Sequence, residues 1–275
     1  MELPAPICCL EKESLSVVFD DERDCPEVPV YPHHQDLLVG TCLVLQDRLE
    51  LLLLSHKVYN VNRAIADEYG KMAHVEEFRE SLRKLRTDRV DLYQIHGIQS
   101  DDEVDQVLAP NGALSFYRKL REAGEIRFIG FSAHNEEAAL RLLDAFEFDS
   151  VLFPVNWAAW HAGGIGPRIM EAAKRGAAVL ALKALAMTRW GENEERTWNK
   201  TWYRPADTFE EAERGLRFTL SRPVVAAVSP GHIEHLQWAC DAADRFTPLS
   251  EAEEQQIAEL AKSTEPIFSR TVTAI

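Results

Sequence analysis

Residues 80–97 read ESLRKLRTDRVDLYQIHG, and this stretch changes period in the middle. Up to Arg86 the apolar side chains recur every three or four residues, with Val75, Phe78, Leu82 and Leu85 on one face and Glu76, Glu77, Arg79 and Glu80 elsewhere. That spacing predicts an amphipathic helix over His74–Arg86. From Val90 to Ile95 the chain becomes a short, mostly apolar run, which predicts a strand covered on both faces. The strand ends on His96-Gly97, so a titratable group stands where a strand gives way to a turn.

The same alternation extends in both directions. Strands are predicted at Leu15–Phe19, Leu49–Ser55, Val90–Ile95, Ile126–Phe131, Ser150–Pro154, Val179–Leu182 and Val224–Val228. Helices are predicted at Gln35–Leu45, His74–Arg86, Ala113–Ala123, Glu136–Ala145, Pro167–Arg175, Phe209–Leu220 and Ile233–Arg245. Ser250, with Glu253 three residues on, forms a capping-box signature that opens a last helix within 250–262. Repeated strand–helix units imply a parallel sheet with right-handed crossovers. Their number in a chain of 275 residues favours an α/β fold of the (β/α)8 TIM-barrel type over an open doubly wound sheet. No GxGxxG follows the first strand, which argues the same way.

Two segments break the rhythm within what is expected to be a single domain over 1–275. Residues 1–34 carry Pro26, Pro29 and Pro32 and are short of material for a first β/α unit. Residues 188–207 are expected to be a long loop holding Trp190, Trp198, Trp202 and Tyr203, either capping the barrel or lining its site. Charge-rich Asp101–Asp105 and Glu192–Glu195 are expected to be solvated loops.

Composition narrows the partners. Thirty Lys and Arg stand against 45 Asp and Glu, a net charge of −15, which argues against nucleic acid or an anionic membrane surface. Five cysteines without a CxxC, and a first segment lacking a basic, apolar leader, suit a reduced cytoplasmic protein. His33-His34 and the His232/His235 pair lack Cys or carboxylate partners at metal-site spacing, so no metal is expected. No GxSxG occurs, so a serine hydrolase has no support.

In such a barrel the residues just past the C-terminal strand ends face the site. The predicted strands deliver His56 and Lys57, then His96, then Ser132 and His134, then Asn156 and Trp157, then Lys183, then Ser229, Pro230 and Gly231. Taken singly, Lys57 is an ordinary solvated lysine and His96 an ordinary core histidine. Polar groups, including a Lys–His pair from neighbouring strands, thus gather where the fold would place a site.

Ser81 to His96 resembles the SLxxLxTDxxDLYxxH segment of the aldo-keto reductases, in which the strand ends on a catalytic histidine. Gly124–Ser132, GEIRFIGFS, is similar to that family's GKIRxIGxS strand, and FDSVLFPVNW, LRFTLSRPVVAAVSPG and ADRFTPLSEAE extend the likeness over roughly Gln35 to Phe268. The resemblance implies an NAD(P)H-dependent oxidoreductase that moves a hydride between NADPH, or NADH in its place, and a small-molecule carbonyl or alcohol. It implies His96 as the group orienting the carbonyl, Lys57 as the ammonium that tunes a phenol, Tyr31 as that phenol and, as the partner of the lysine, Asp20 by its place at a strand end or Asp24 by its distance in sequence. For the cofactor it implies Ser132, Asn156, Lys183, Ser229 and Gly231. The chain departs from the family pattern at Pro26, where an Asp is usual, and at Ala133-His134, where an Asn usually follows the serine. The alternative is a barrel of this fold that has lost redox chemistry and serves as a binding or structural protein.

Overall fold

A computed structural model describes residues 43–45, 53–55, 68–85 and 87–270. Its strands are β1 (Leu43–Leu45), β2 (Leu53–Ser55), β3 (Val90–Ile98), β4 (Ile126–Ala133), β5 (Ser150–Pro154), β6 (Ala178–Leu182), β7 (Ala186–Arg189), β8 (Tyr203–Pro205) and β9 (Ala226–Val228). Its helices are α1 (Glu68–Leu85), α2 (Asp101–Leu108), α3 (Ala113–Glu122), α4 (Glu136–Ala145), α5 (Trp157–His161), α6 (Pro167–Ala173), α7 (Phe209–Leu220), α8 (Ile233–Asp244) and α9 (Glu251–Ala261).

The main sheet runs β1-β9-β6-β5-β4-β3-β2, while β7 and β8 form a separate antiparallel pair. From β2 to β6 each strand lies beside its predecessor in parallel, with no reversal of order. A doubly wound sheet needs a switch point where the order turns back, whereas a (β/α)8 barrel adds strands in sequence. The predicted barrel class therefore holds. Among the described strands of this sheet, β1 runs the other way, pairing antiparallel with β9.

Alternate residues of each strand point to opposite faces, and the two faces bury different things. Leu92, Leu152, Leu180, Ala226 and Val228 meet on one face, with Phe128 and Leu182 against them. Tyr93, Ile95, Ile129, Phe131, Val151, Phe153, Val179 and Ala181 face outward into the larger core shared with the helices. There Tyr93 stacks on Tyr117 at 4.6 Å between centroids and leans on Phe78 at 5.1 Å, which anchors α1 and α3 to β3. On the inner face Gln94 Nε2 donates to Ser150 Oγ at 3.2 Å. Gly130 lies between them because a Cβ there would stand 2.1 Å from Ser150 Oγ.

Several predicted elements match closely, among them β5, α4 and α7, and Ser250 caps α9 through the expected reciprocal bonds with Glu253. Others need correction. Residues 43–45 were expected in a helix and form β1, because a short apolar run carries no period long enough to separate helix from strand. Asp101–Asp105 is the start of α2, not a loop. Ser100 and Glu103 make a capping box, and Asp101, Asp102 and Glu103 suit the positive end of the helix dipole. Val75, placed on the buried face of α1, is 40% exposed. The expected 188–207 loop is a hairpin arm whose stem is β7 and β8. The predicted Leu15–Phe19 strand and the irregular 1–34 segment lie outside the described residues. Among the described residues no helix is long and apolar enough to cross a membrane.

Candidate active site

His96 projects from β3 at a break in its ladder with β4. Ile95 pairs with Phe131 but Ile98 pairs with Ala133, so β3 spends one residue more than β4 over that interval. The extra residue is absorbed at His96-Gly97, where Gly97 adopts φ +74°, a conformation that costs glycine little and other residues much. Such a bulge re-aims the side chain beside it. Ser132 on β4 closes the gap: its Oγ accepts the Gly97 N–H at 2.7 Å and lies 3.1 Å from His96 Nδ1.

His134 follows on the same strand end. Burial, then the charges of Lys183 and His96, push its pKa down to about 4, so the ring is neutral near pH 7. Its imidazole stacks on Phe268. Lys183, just past β6, holds φ +67°, a left-handed backbone in a residue other than glycine. Its Nζ lies 4.6 Å from the ring centroid of Tyr203 and 5.7 Å from that of Trp202, which ties the hairpin arm to the strand end. Burial raises the Tyr203 phenol above its ordinary range, which makes it a poorer proton donor at neutral pH.

Asn156 caps α5, with Oδ1 accepting the Ala159 N–H at 2.8 Å. Its Nδ2 is buried and has no hydrogen-bond partner among the described residues. Ser229 and Gly231 lead from β9 into α8, whose N-cap His232 makes no side-chain cap bond. Here the remaining arm is anchored. Trp198 packs against His232, His235 and Trp238, and the Lys200 N–H donates to His232 Nε2 at 3.2 Å. The arm thus caps α8 with Trp198 and reaches Lys183 with Trp202 and Tyr203. Among the described residues no group of three or more His, Cys, Asp or Glu could hold a metal ion.

The family model for the aldo/keto reductase family matches residues 29–263. The chain belongs to the aldo/keto reductase family. A curated relative, the uncharacterized oxidoreductase YqkF of Bacillus subtilis (strain 168), is 22% identical over 188 residues, 62% of this chain. The chain spans 60% of that relative's length. Among solved structures it is similar to aldo-keto reductase AKR11C1 from Bacillus halodurans in its holo form, with a TM-score of 0.51 and 24% identity, covering 70% of this chain and 68% of that one. An aldo-keto reductase from Klebsiella pneumoniae in complex with NADPH gives a TM-score of 0.51 at 20% identity, covering 74% of this chain and 69% of that one. These likenesses show the fold.

Within this member of the family, the structure brings His96 and Ser132 into contact and sets His134 within electrostatic reach of both His96 and Lys183. Asn156, Ser229 and Gly231 stand at other strand ends. Tyr31, Lys57 and Asp20 lie outside the described residues. Trp202 was among the loop aromatics expected to cap the barrel or line its site, and it meets Lys183. Phe268 received no site role from the sequence, since a single Phe beyond the last helix carries no period.

Proposed function

We propose that this chain is a reductase that transfers a hydride between NADPH and a small carbonyl or alcohol substrate, with NADH as the alternative donor. The observation that carries this reading is the contact of His96 with Ser132 at a β-bulge on the strand ends, in a chain of this family. The strand-end groups suit a nicotinamide cofactor. The buried Nδ2 of Asn156 is an unpaired donor that an amide or phosphate oxygen would satisfy, and Lys183 supplies a positive charge. Ser229 and Gly231 complete the set that would hold it, while the fully buried Ser132, expected beside the cofactor, turns its hydroxyl to Gly97 and His96 instead. When bound, NADPH supplies the hydride.

The side chains have the remaining work. His96 donates a hydrogen bond to the carbonyl oxygen, polarising it and stabilising the negative charge that develops there. Tyr31 gives that oxygen its proton. A free phenol titrates near 10, so Lys57 lowers it by stabilising the phenolate, and Asp20 holds the ammonium. Tyr203 does not replace Tyr31, because burial moves its phenol the wrong way. Neutral His134 adds no second positive charge beside Lys183.

A fluorescence titration of the protein with NADPH, and with NADH alongside, tests this reading. A saturable change is expected; none up to millimolar cofactor overturns it. The antiparallel seat of β1 on β9 favours a second reading, in which the barrel serves as a binding or structural protein. An unresponsive titration with an intact far-UV circular dichroism spectrum would support that one.

A further inference from the structure

We propose that Ser132 is a positioning residue that sets the tautomer of His96, an inference that takes its functional meaning from the role proposed for His96 above. Ser132 is fully buried, so its hydroxyl must find its partners inside the protein. A serine hydroxyl has one proton to give and two lone pairs to receive. One lone pair is taken by the Gly97 N–H at 2.7 Å, a contact in which the backbone can only donate. The other contact is His96 Nδ1 at 3.1 Å. Among the described residues, both side-chain hydrogen bonds of Ser132 run to β3.

The direction of the second bond follows from satisfying the buried hydroxyl proton of Ser132. If Nδ1 carried the hydrogen, Ser132 Oγ would accept twice and its own buried proton would have no acceptor. If Ser132 donates, Nδ1 is the acceptor and both the hydroxyl and Nδ1 are satisfied. The neutral ring then carries its hydrogen on Nε2, the nitrogen on its other edge. That is the tautomer able to donate to a carbonyl oxygen. The β-bulge is part of the device, since the left-handed Gly97 turns its N–H onto the same hydroxyl that meets His96. A register without the bulge would not present both groups to one oxygen.

Nitrogen-15 NMR of imidazole-labelled protein, free of cofactor and substrate, reads the tautomer directly, with His96→Asn identifying the resonance. The expected result is an Nε2–H ring in the wild type and a mixture of tautomers in Ser132→Ala. An Nδ1–H ring in the wild type overturns the proposal. In turnover, Ser132→Ala is expected to lower kcat about tenfold while KM stays within about twofold, and Ser132→Thr to restore kcat. Unchanged kcat in Ser132→Ala overturns it as well. A wild type that reduces no carbonyl would defeat the functional reading alone, because the NMR result decides the tautomer without turnover.

Discussion

The imidazole of His134 lies parallel to the ring of Phe268, with centroids 4.9 Å apart and planes 8° from each other. Phe268 belongs to the segment after α9, which returns across the strand ends. Arg189 Nη2 donates to the Ile267 carbonyl, Thr188 Oγ1 to that of Glu265, and the Arg270 N–H to that of Gly163. This return is what buries His134, and burial is the main cause of its lowered pKa.

The stability of the protein should therefore fall as the pH drops from 6.5 towards 4. Unfolded, His134 takes its proton near 6.5; folded, only at about 4. In between, the unfolded chain binds more protons, so acid favours unfolding and the full stability is present above 6.5. The loss is about 3 kcal/mol across that window. His232 and His235 are also shifted down by burial and act in the same direction. Melting temperature against pH should thus fall less steeply in His134→Gln without becoming flat. Below 4.5, protonation of Glu253, held down to about 2 mainly by Arg217, adds its own loss.

Phe268→Ala should return the His134 pKa towards its ordinary value by opening the ring to water. A histidine NMR titration would show the rise. The lost packing against His134 and Trp202 should cost about 2 kcal/mol, less than for a core Phe because Phe268 is only partly buried.

Glu136 should matter far more than its neighbour Glu137. Glu136 is buried, accepts the Gly166 N–H at 2.9 Å and meets Arg270 Nη2 at 2.8 Å. Glu136→Ala would leave the Gly166 N–H without its acceptor and should cost about 2 kcal/mol. Glu137 pairs with Arg168 at the surface, where such pairs contribute about 0.5 kcal/mol. Urea unfolding of the two variants should separate them clearly.

Gly130→Ala should destabilise the inner face of the sheet by about 2 kcal/mol, because the new methyl would drive into Ser150 Oγ and crowd Gln94. Pairing it with Ser150→Gly should recover part of that loss, since the offending oxygen is then gone. Thermal unfolding of the single and double variants measures both effects.

His96→Ala and Lys57→Met should each lower kcat/KM for carbonyl reduction by about a hundredfold or more, with unchanged far-UV circular dichroism. Wild-type rates in either variant would show that other groups do the chemistry.

Much of this molecule is legible from local pattern. Runs such as Ser150–Pro154 and repeats such as Phe209–Leu220 announce their conformation because burial on both faces, or on one stripe, dictates which residues are apolar. Ser250 and Glu253 announce a helix start because the unpaired backbone donators there need those side chains. The strand-end positions of His96, Ser132, His134 and Lys183 followed from the same reading. The β7–β8 stem was not legible, since Ala186–Arg189 and Tyr203–Pro205 are short and their pairing partner is remote in sequence. Residues 43–45 misled for a similar reason: in a run that short, the partner strand decides the conformation.

By itself the sequence determined most of the strand–helix units from β3 onward, the family resemblance and the strand ends at which polar side chains gather, because these depend on periodicity and on neighbours along the chain. Only the tertiary structure decided that one residue is bulged at His96-Gly97, that Ser132 bridges Gly97 and His96, and that Phe268 closes over His134. Each of those depends on register and on contacts between residues far apart in sequence. Hydrogen-bond direction and burial exist only once those residues have been brought together.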